Sequence, residues 1–455
     1  MMFSERSGID CRPWDISKMS SHMELALREG AAERRTKRIH VCLAGVNIYP
    51  VYAGPAIRFR RYLPGFKAHG IEVEILTGTP DVARARATRL PKNWGDYRLA
   101  SFLPMVRADG VPIRRVRLPD MGDLRRGFLF GRALARHCTN PATRPPLVQL
   151  LSCGAYMLPA LIKLRSLGIP TVYTRTLLPD ARARPWVKRE AWKRFVRGPM
   201  QLVDVVVVSS LVMEKSLRAL GVTTDIRVIP NGVDTTRFCP PRTTASRVRA
   251  RDKLHIPQNA KVALFLGPIV KRKGIDLLLE AWKTLAAQWP DLHLILAGPR
   301  LDFARTTETR FGELVMALVE ASGAEDRVHF TGMVEDPEAY MQAADLFVFP
   351  SRREGMPNVV PEAMATGLPV IMTPFQGLPS EFGQAGQHYL LAEFTADNLA
   401  EHIGRLLADG GLRRTMGAAA REWAQTQLDV ASSIQRYANL YGELATRTNR
   451  RELDR

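Results

Sequence analysis

The sequence predicts an α/β protein built from two doubly wound, Rossmann-like domains. Short apolar segments alternate with helical segments along two successive stretches of the chain, which is the pattern of parallel sheets covered by helices on both faces. At 455 residues the chain is too long for one ordinary core and fits two domains. Residues 205–209 (VVVVS) are apolar up to the final serine, which is typical of a strand buried within a parallel sheet.

The first domain is predicted over residues 38–224, after a leader (residues 1–37) that lacks a sustained apolar period and is expected to be disordered. A strand at 39–44 leads through a glycine-bearing loop into a helix. Residues 80–145 are rich in Arg and Pro and are interpreted as a variable insertion. The other predicted elements are strands at 71–76, 113–118, 147–151, 171–174 and 205–209, and helices at 158–167 and 211–220.

The second domain is predicted over residues 225–425, and a last helix over residues 426–446 is treated as a separate segment. The pair Asn231–Gly232 is interpreted as the hinge between the domains, with positive φ values expected there. The predicted strands are 262–266, 292–297, 328–331, 346–349, 369–372 and 390–391, and the predicted helices are 275–288, 311–322, 337–343, 358–366, 395–409 and 412–446.

The net charge of +20 is confined to the first half of the chain. Residues 1–230 hold 39 Lys and Arg against 18 Asp and Glu, whereas residues 231–455 hold 26 against 27. A positive field on one side of a protein attracts an anionic partner, so the first half is expected to meet a membrane surface, a phosphorylated lipid or nucleic acid.

The five cysteines are scattered and form no C-x-x-C pair, which favours a reducing cytosol over a disulfide framework or structural zinc. No apolar run reaches eighteen residues, and the first residues (MMFSERSGIDCRPWD) lack the apolar core of a signal peptide. The expected location is therefore cytoplasmic.

The strongest chemical signal lies in residues 345–367, where a strand enters a loop and a helix follows. Asn358 is the expected N-cap of this helix and Gly367 its C-terminal stop. Glu354 then lies in the loop and Glu362 in the opening turn of the helix.

The region in front of this helix is suited to an oxygen-rich ligand. Backbone N–H groups at a helix start can hold an anion, while two carboxylates accept hydrogen bonds from hydroxyls. Because carboxylates beside bare phosphate are electrostatically costly, the pattern favours a hydroxyl-rich ligand. The backbone N–H groups concerned belong to Gly355, Met356, Val359 and Val360. The residues expected to bind the ligand here are Gly355, Met356, Asn358 and Val359.

The spacing Glu354-x7-Glu362 in EGMPNVVPEAMATGLPV resembles the retaining, nucleotide-sugar-dependent glycosyltransferases of family 4, whose GT-B fold has two doubly wound domains facing each other across a cleft. The resemblance covers residues 225–446 clearly and residues 38–224 in outline, and implies that the last helix crosses back onto the first domain. Its other segments are VIPNGVDTTRF (228–238), FLGPIVKRKGIDLLLEAW (265–282), LILAGP (294–299) and VHFTGMV (328–334).

The resemblance implies a role for each matching residue. Glu362 is expected to bind the ribose hydroxyls of the donor nucleotide, and Glu354 is expected to lie near the transferred sugar. The nucleobase is expected beside Met333 and Val334, and Gly298 is expected to line the same cleft.

The leaving diphosphate needs positive charge, and Lys273 is the first candidate to supply it. The family places an arginine directly after the glycine that is Gly267 here, whereas this chain has Pro268, which cannot donate a hydrogen bond. Lys271 or Arg272 is therefore expected to supply the second positive charge, unless diphosphate binding is weaker or arranged differently.

On the acceptor side, Gly54 either lets a ligand approach the backbone or forms a plain tight turn, and Arg58 lies in the helix that follows. The family's acceptor-side histidine has no counterpart, because the local match offers only Gln149 or Ser152. No D-x-D motif occurs, so the sequence requires no divalent metal and no cofactor beyond the nucleotide-diphosphate sugar itself.

Residues 180–203 are the most basic segment, with tryptophans and Phe195 between the cations. They fit either an amphipathic helix at a membrane interface or an ordinary helix packed on the first sheet.

Three functions are considered for this sequence. The leading one is a glycosyltransferase that retains anomeric configuration and acts at the inner face of a membrane on a lipid-linked or otherwise anionic acceptor, in polysaccharide or glycolipid biosynthesis. The second is a soluble transferase acting on a glucan, a disaccharide or a small molecule. The third is a basic nucleic-acid-binding module, which is disfavoured because no nucleic-acid-reading motif occurs.

Overall fold

The computed structural model describes residues 38–48, 54–79, 105–108, 110–119, 123–178, 186–253, 255–299, 307–334 and 336–453. The predicted leader and residues 49–53 of the loop before Gly54 lie outside these residues. Two sheets with helices on both faces confirm the predicted two-domain, doubly wound α/β fold.

The first sheet has eight strands in the order β3-β4-β2-β1-β5-β6-β7-β8, and all neighbours are parallel except β3 and β4. The boundary predicted after residue 224 is too early, because Asp225–Val228 pairs with Val205–Val208 in this sheet. The strands are β1 Ile39–Gly45, β2 Ile71–Gly78, β3 Met105–Ala108, β4 Val111–Val116, β5 Val148–Leu150, β6 Thr171–Thr174, β7 Val205–Val208 and β8 Asp225–Val228.

Besides the last helix, the helices that the described residues form on the first sheet come from the first half of the chain. They are α1 Gly54–Ala68, α2 Asp123–Thr139, α3 Leu158–Ser166, α4 Trp186–Met200 and α5 Leu211–Ala219. Helix α2 was missed in the Arg-rich region 80–145, where it buries Phe130, Leu134 and Cys138 against the sheet. In α4, Trp192 and Val196 pack on the same core, as the ordinary-helix interpretation expects, while Phe195 is 51% exposed.

The second sheet is wholly parallel, in the order β11-β10-β9-β12-β13-β14. Its strands are β9 Lys261–Leu266, β10 Leu292–Ala297, β11 Val328–Gly332, β12 Leu346–Phe349, β13 Val370–Met372 and β14 Leu390–Leu391. The helices of this half are α6 Thr244–Lys253, α7 Ile275–Gln288, α8 Thr307–Glu320, α9 Pro337–Ala343, α10 Val359–Ala365, α11 Ala396–Ala408, α12 Gly410–Gln427 and α13 Val430–Leu453.

The single helix predicted over 412–446 is two helices, α12 and α13. The interruption occurs where the hinge strand inserts: the amide of Val233 donates to the carbonyl of Leu428 at 2.8 Å, and the amide of Val430 donates to the carbonyl of Val233 at 3.2 Å. These bonds occupy the carbonyl of Leu428 and the amide of Val430, whereas the amide of Leu428 still donates to the carbonyl of Ala424 at 3.0 Å as the last bond of α12.

Helix α13 completes the core of the first domain. Tyr437 packs edge-on against Phe59 of α1 at 5.2 Å between ring centroids, and its hydroxyl lies 3.1 Å from Thr174 Oγ1. The Tyr441 hydroxyl donates to Gln149 Oε1 at 2.9 Å. Both tyrosines are buried, so the end of the chain is an integral part of the first domain.

The hinge differs from the prediction in one respect. Neither Asn231 nor Gly232 takes a positive φ. Glycine is required at position 232 for space, because an added Cβ would lie 2.6 Å from the Cα of Val430. The close crossing of two chain segments, rather than turn geometry, explains this glycine.

The four cysteines in the described residues are free thiols. Burial raises the pKa of Cys138 and of Cys153 to about 12. No helix within the described parts of the chain combines the length and the apolar composition that crossing a bilayer requires.

We predict that a histidine pair makes stability fall in mild acid. His293 Nδ1 and His329 Nε2 are 2.8 Å apart on adjacent strands, and burial lowers the pKa of both rings. The folded chain therefore binds fewer protons than the unfolded chain below the ordinary histidine pKa of about 6.5, so the free energy of unfolding should decrease as pH falls from about 7 to about 5.

Urea denaturation at several pH values checks this expectation. A His329→Asn variant should show a shallower dependence over the same range, because one of the two titrating rings is gone. Equal slopes for the two proteins would contradict the assignment.

Candidate active site

The predicted donor-side residues meet at the carboxyl ends of neighbouring strands in the second sheet. Gly267 follows β9 and Gly298 follows β10, and the amide of Gly267 donates to the carbonyl of Ala297 at 2.8 Å. Gly298 forms an isolated bridge with Gly332, which precedes Met333 and Val334. The loop carrying Glu354 follows β12, next to β9 in the sheet.

Glu354 is buried and held through one oxygen. Its Oε1 accepts from Ser351 Oγ at 2.8 Å, lies 2.6 Å from Arg272 Nη1 and lies 2.9 Å from Lys273 Nζ. Glu354 and Lys273 are each only 6% exposed. Within the described residues nothing donates to Oε2.

The three cations proposed for the diphosphate are not equivalent. Lys271–Lys273 form a 3-10 turn and α7 begins only at Ile275, so the cations precede the helix rather than start it. Burial lowers the pKa of Lys273, and neighbouring Glu354 opposes that shift. Lys271 is exposed, whereas Arg272 and Lys273 both contact Glu354.

An ion pair behind the site holds this turn in place. Arg352 donates to both carboxylate oxygens of Asp276 at 2.7 and 3.0 Å and to the carbonyl of Lys271 at 2.7 Å. Because Asp276 lies in the first turn of α7, this fork joins the loop after β12 to the turn after β9.

Glu362 is the more deeply buried carboxylate and is paired across the domain interface. It lies in the first turn of α10 and is 3% exposed. Its Oε1 accepts from Nη1 of Arg61, which lies on α1 of the first domain. Arg61 was not among the predicted site residues. Its spacing of three from Arg58, which places both on one face of α1, was the available signal.

Asn231 connects the hinge to the loop before α10. Its side-chain amide donates to the carbonyl of Met356 and to Asn358 Oδ1, both at 2.9 Å, and its oxygen accepts from Arg58. Asn358 is at the N-cap position as predicted, but its side chain makes no capping hydrogen bond and binds Asn231 instead.

The loop after β12 touches the first domain directly. A Cβ added to Gly355 would lie 2.1 Å from the carbonyl oxygen of Thr176. Only glycine permits this approach, which brings the loop that carries Glu354 to the boundary between the domains.

The first-domain candidates are arranged differently from the expectation. Gly54 is the first residue of α1. Arg58 is 5% exposed and bound to Asn231, so in this structure it lies in the domain interface rather than on an open acceptor surface. Gln149 is buried and bonded to Thr174 and Tyr441, which assigns it to the core.

The fold places the protein in a structural class, the two-domain GT-B proteins. A sucrose-phosphate synthase from Thermosynechococcus elongatus superposes with a TM-score of 0.72 at 23% identity, covering 90% of this chain and 99% of that one. Anabaena HepE, solved in complex with UDP-glucose, superposes with a TM-score of 0.68 at 19% identity, covering 89% of this chain and 100% of that one. At such identities the likeness concerns the fold alone.

The sequence comparisons define the family. The family described as "Glycosyltransferase Family 4" matches residues 53–237, and "Glycosyl transferases group 1" matches residues 246–423. The chain belongs to the family 4 glycosyltransferases, as the resemblance implied.

Individual relatives match over part of their length. A Bacillus subtilis protein named as the teichuronic acid biosynthesis glycosyltransferase TuaC is 31% identical over 270 residues, which is 59% of this chain and 63% of that protein. Among curated relatives such as this one, the matched region spans from 36% to 64% of the relative's own length.

We predict strong energetic coupling between Lys273 and Glu354. Removing one member of a buried pair leaves the other charge uncompensated, so Lys273→Met and Glu354→Gln should each destabilise the fold. The double variant should lose less than the sum of the two single losses, with a coupling energy of about 1–3 kcal/mol.

Urea denaturation of the four proteins measures this coupling. The pair Lys261–Asp291, which lies elsewhere and is more exposed, supplies a control cycle with a coupling of about 1 kcal/mol or less. Additive losses at Lys273 and Glu354 would contradict the arrangement described here.

Proposed function

We propose that the protein transfers a sugar from a nucleotide-diphosphate sugar to an acceptor, with retention at the anomeric carbon. The observation that carries the proposal is the pair of buried glutamates, Glu354 in the loop after β12 and Glu362 in the first turn of α10. In each, one oxygen is paired with Arg or Lys, and no described residue donates to the other oxygen. The UDP-glucose complex of the HepE neighbour supports a donor of this class.

The reaction breaks the bond between the anomeric carbon and the diphosphate oxygen. Negative charge collects on the departing diphosphate while the sugar ring gains oxocarbenium character. Lys273 and Arg272 are proposed to stabilise the diphosphate, with exposed Lys271 able to reach it from solvent. These cations are fixed in a turn before the substrate arrives, so little reorganisation is needed.

Glu354 is proposed to contact the transferred sugar through its second oxygen, Oε2. The Oε1 contacts keep the carboxylate oriented, and Oε2 accepts from a sugar hydroxyl or steadies positive charge at the anomeric carbon. An acceptor hydroxyl attacks the anomeric carbon on the face from which the diphosphate departs, which forms the new glycosidic bond with retention, and the departing diphosphate oxygen takes the hydroxyl proton. Glu362 is proposed to bind the ribose, and the backbone after β11, at Met333 and Val334, to receive the base.

The proposed chemistry requires no divalent metal or other cofactor. The cations of the 3-10 turn carry the charge that a metal would otherwise balance, and the sequence has no D-x-D motif. Transfer that disappears in EDTA and returns with Mg²⁺ or Mn²⁺ would refute this part of the proposal.

We expect Glu354→Gln and Glu362→Gln to separate the two glutamate roles. Glu354→Gln should lower kcat by about 100-fold or more while leaving nucleoside diphosphate binding measurable, because its proposed contact is with the sugar. Glu362→Gln should weaken nucleoside diphosphate binding itself. Hydrolysis and transfer assays with labelled nucleotide sugars, together with thermal shifts in UDP and GDP, measure both effects.

Glu381→Gln serves as the matched control, since Glu381 is exposed and lies outside the proposed site. Full transfer activity in both active-site variants would remove the basis for the assignment.

The acceptor is proposed to be lipid-linked or otherwise anionic, in polysaccharide or glycolipid assembly at the inner face of a membrane. The relative named for teichuronic acid biosynthesis supports a polysaccharide role. The excess positive charge of residues 1–230 supports an anionic partner.

One face of the first domain suits contact with an anionic bilayer. Helices α2, α3 and α4 lie side by side and expose large apolar side chains next to cations. The apolar residues are Leu124 (65% exposed), Phe128 (43%), Ile162 (58%) and Phe195 (51%). The exposed cations between them are Arg125, Arg132, Arg136, Lys163, Arg165 and Arg194.

We predict that this face binds vesicles containing phosphatidylserine or phosphatidylglycerol. Phe128→Ser combined with Phe195→Ser should reduce cosedimentation about tenfold or more, because apolar insertion and charge attraction act together. Raising the salt concentration should release the remainder.

A control variant, Leu314→Ser, removes an exposed apolar residue from the second domain instead. Equal binding of all three proteins would exclude this face. Absence of binding to any vesicle would favour a transferase that acts on a soluble glucan, disaccharide or small molecule.

A further inference from the structure

Arg61 joins the first domain to the carboxylate proposed for ribose binding. Its guanidinium donates to Glu362 Oε1 and lies 5.2 Å from the ring centroid of Phe238. Phe238 and Glu362 both belong to the second half of the chain and are almost fully buried. Arg61 therefore reaches out of α1 and ends inside the opposite domain.

The helix that carries Arg61 is held firmly on both sides of that residue. Tyr62 accepts from the amide of Gly232 at 3.1 Å, and Phe59 and Phe66 pack against Tyr437 of α13 at 5.2 and 6.2 Å. A guanidinium carried by such a fixed helix can determine the orientation of the group it binds.

The pairing with Arg61 uses only one of the two carboxylate oxygens of Glu362. Oε1 is taken by Arg61, and among the described residues none donates to Oε2. A carboxylate with one oxygen fixed by a charged donor keeps a defined orientation for the other, and an ionised acceptor forms a stronger bond with a hydroxyl than a neutral one. Without Arg61, a buried carboxylate at this position would lack its counter-charge.

We propose that Arg61 is a positioning residue for donor recognition, fixing Glu362 so that its second oxygen accepts from a ribose hydroxyl. The inference rests on the proposed function, because it assigns the nucleotide ribose to Glu362. It adds that ribose recognition depends on both domains: the second domain supplies the carboxylate, and the first supplies the cation that orients it. Donor binding is therefore coupled to the position of the first domain relative to the second.

The test compares ribose with deoxyribose. Dissociation constants are measured for UDP and GDP and for their 2′-deoxy and 3′-deoxy forms, using wild type, Arg61→Met and Arg61→Lys. In wild type, a ribonucleotide should bind at least about tenfold more tightly than one of its deoxy forms, since a hydrogen bond to a charged group is lost. Arg61→Met should reduce this preference to about twofold or less, and Arg61→Lys should restore part of it.

A purely structural role for Arg61 would weaken the ribo and deoxy forms equally, which would overturn the inference. Arg227→Met is the matched control, because it removes an ion pair between the first sheet and α13, with Glu443, away from the site. It should leave the preference unchanged, and a change as large as that of Arg61→Met would likewise overturn the inference.

Nucleotide binding by wild type separates a failure of the proposed function from a failure of the inference on Arg61. Wild type that binds neither nucleoside diphosphate would overturn both the proposed function and this inference. Wild type that binds one of them with a ribose preference that Arg61→Met preserves would overturn the inference alone.

Discussion

The packing of the last helix against α1 is the constraint on which the rest of the structure depends. Tyr437 and Tyr441 fill the core of the first domain from the far end of the chain, and their hydroxyls bond Thr174 and Gln149 inside it. Burying two aromatic side chains of this size stabilises the contact by several kcal/mol, on the order of 2–3 kcal/mol each. The orientation of α1, and with it the reach of Arg61, follows from that packing.

The site itself is organised by buried charge. Two carboxylates lie at the domain boundary, one paired to cations from its own domain and the other to a cation from the opposite domain. Burying ions is costly, so such pairs are weak contributors to stability and are better explained by recognition of a polar ligand. Each glutamate also has a second oxygen to which no residue in the described parts of the chain donates, and this is the chemical feature that the two halves of the site share.

Much of the second domain could be predicted from the sequence because its signals are local. The runs at Leu292–Ala297 and Leu346–Phe349 are apolar, bounded by turn residues, and occur in the structure with the predicted limits. The placement of Glu354 in a loop and Glu362 in the first helical turn likewise follows from short-range pattern. In α2, by contrast, the apolar residues Phe130, Leu134 and Cys138 recur every four residues on one face of the helix. Because arginines lie between them in the sequence, this helical pattern was not recognised. The Arg61–Glu362 pair joins residues 301 positions apart, and no local pattern carries such information.

The hinge shows how tertiary contact overrides a local signal. Asn231–Gly232 is a strong turn dipeptide, yet its backbone stays out of the left-handed region because the chain returns alongside it at Asp429 and Val430. Both covalent links between the halves thus run side by side, with Val233 bridged to Asp429. Because both links lie side by side at one place, any change in the angle between the halves would have to be taken up by the backbone near Val233 and Asp429. A single backbone cut in either strand would leave the two halves attached through the other.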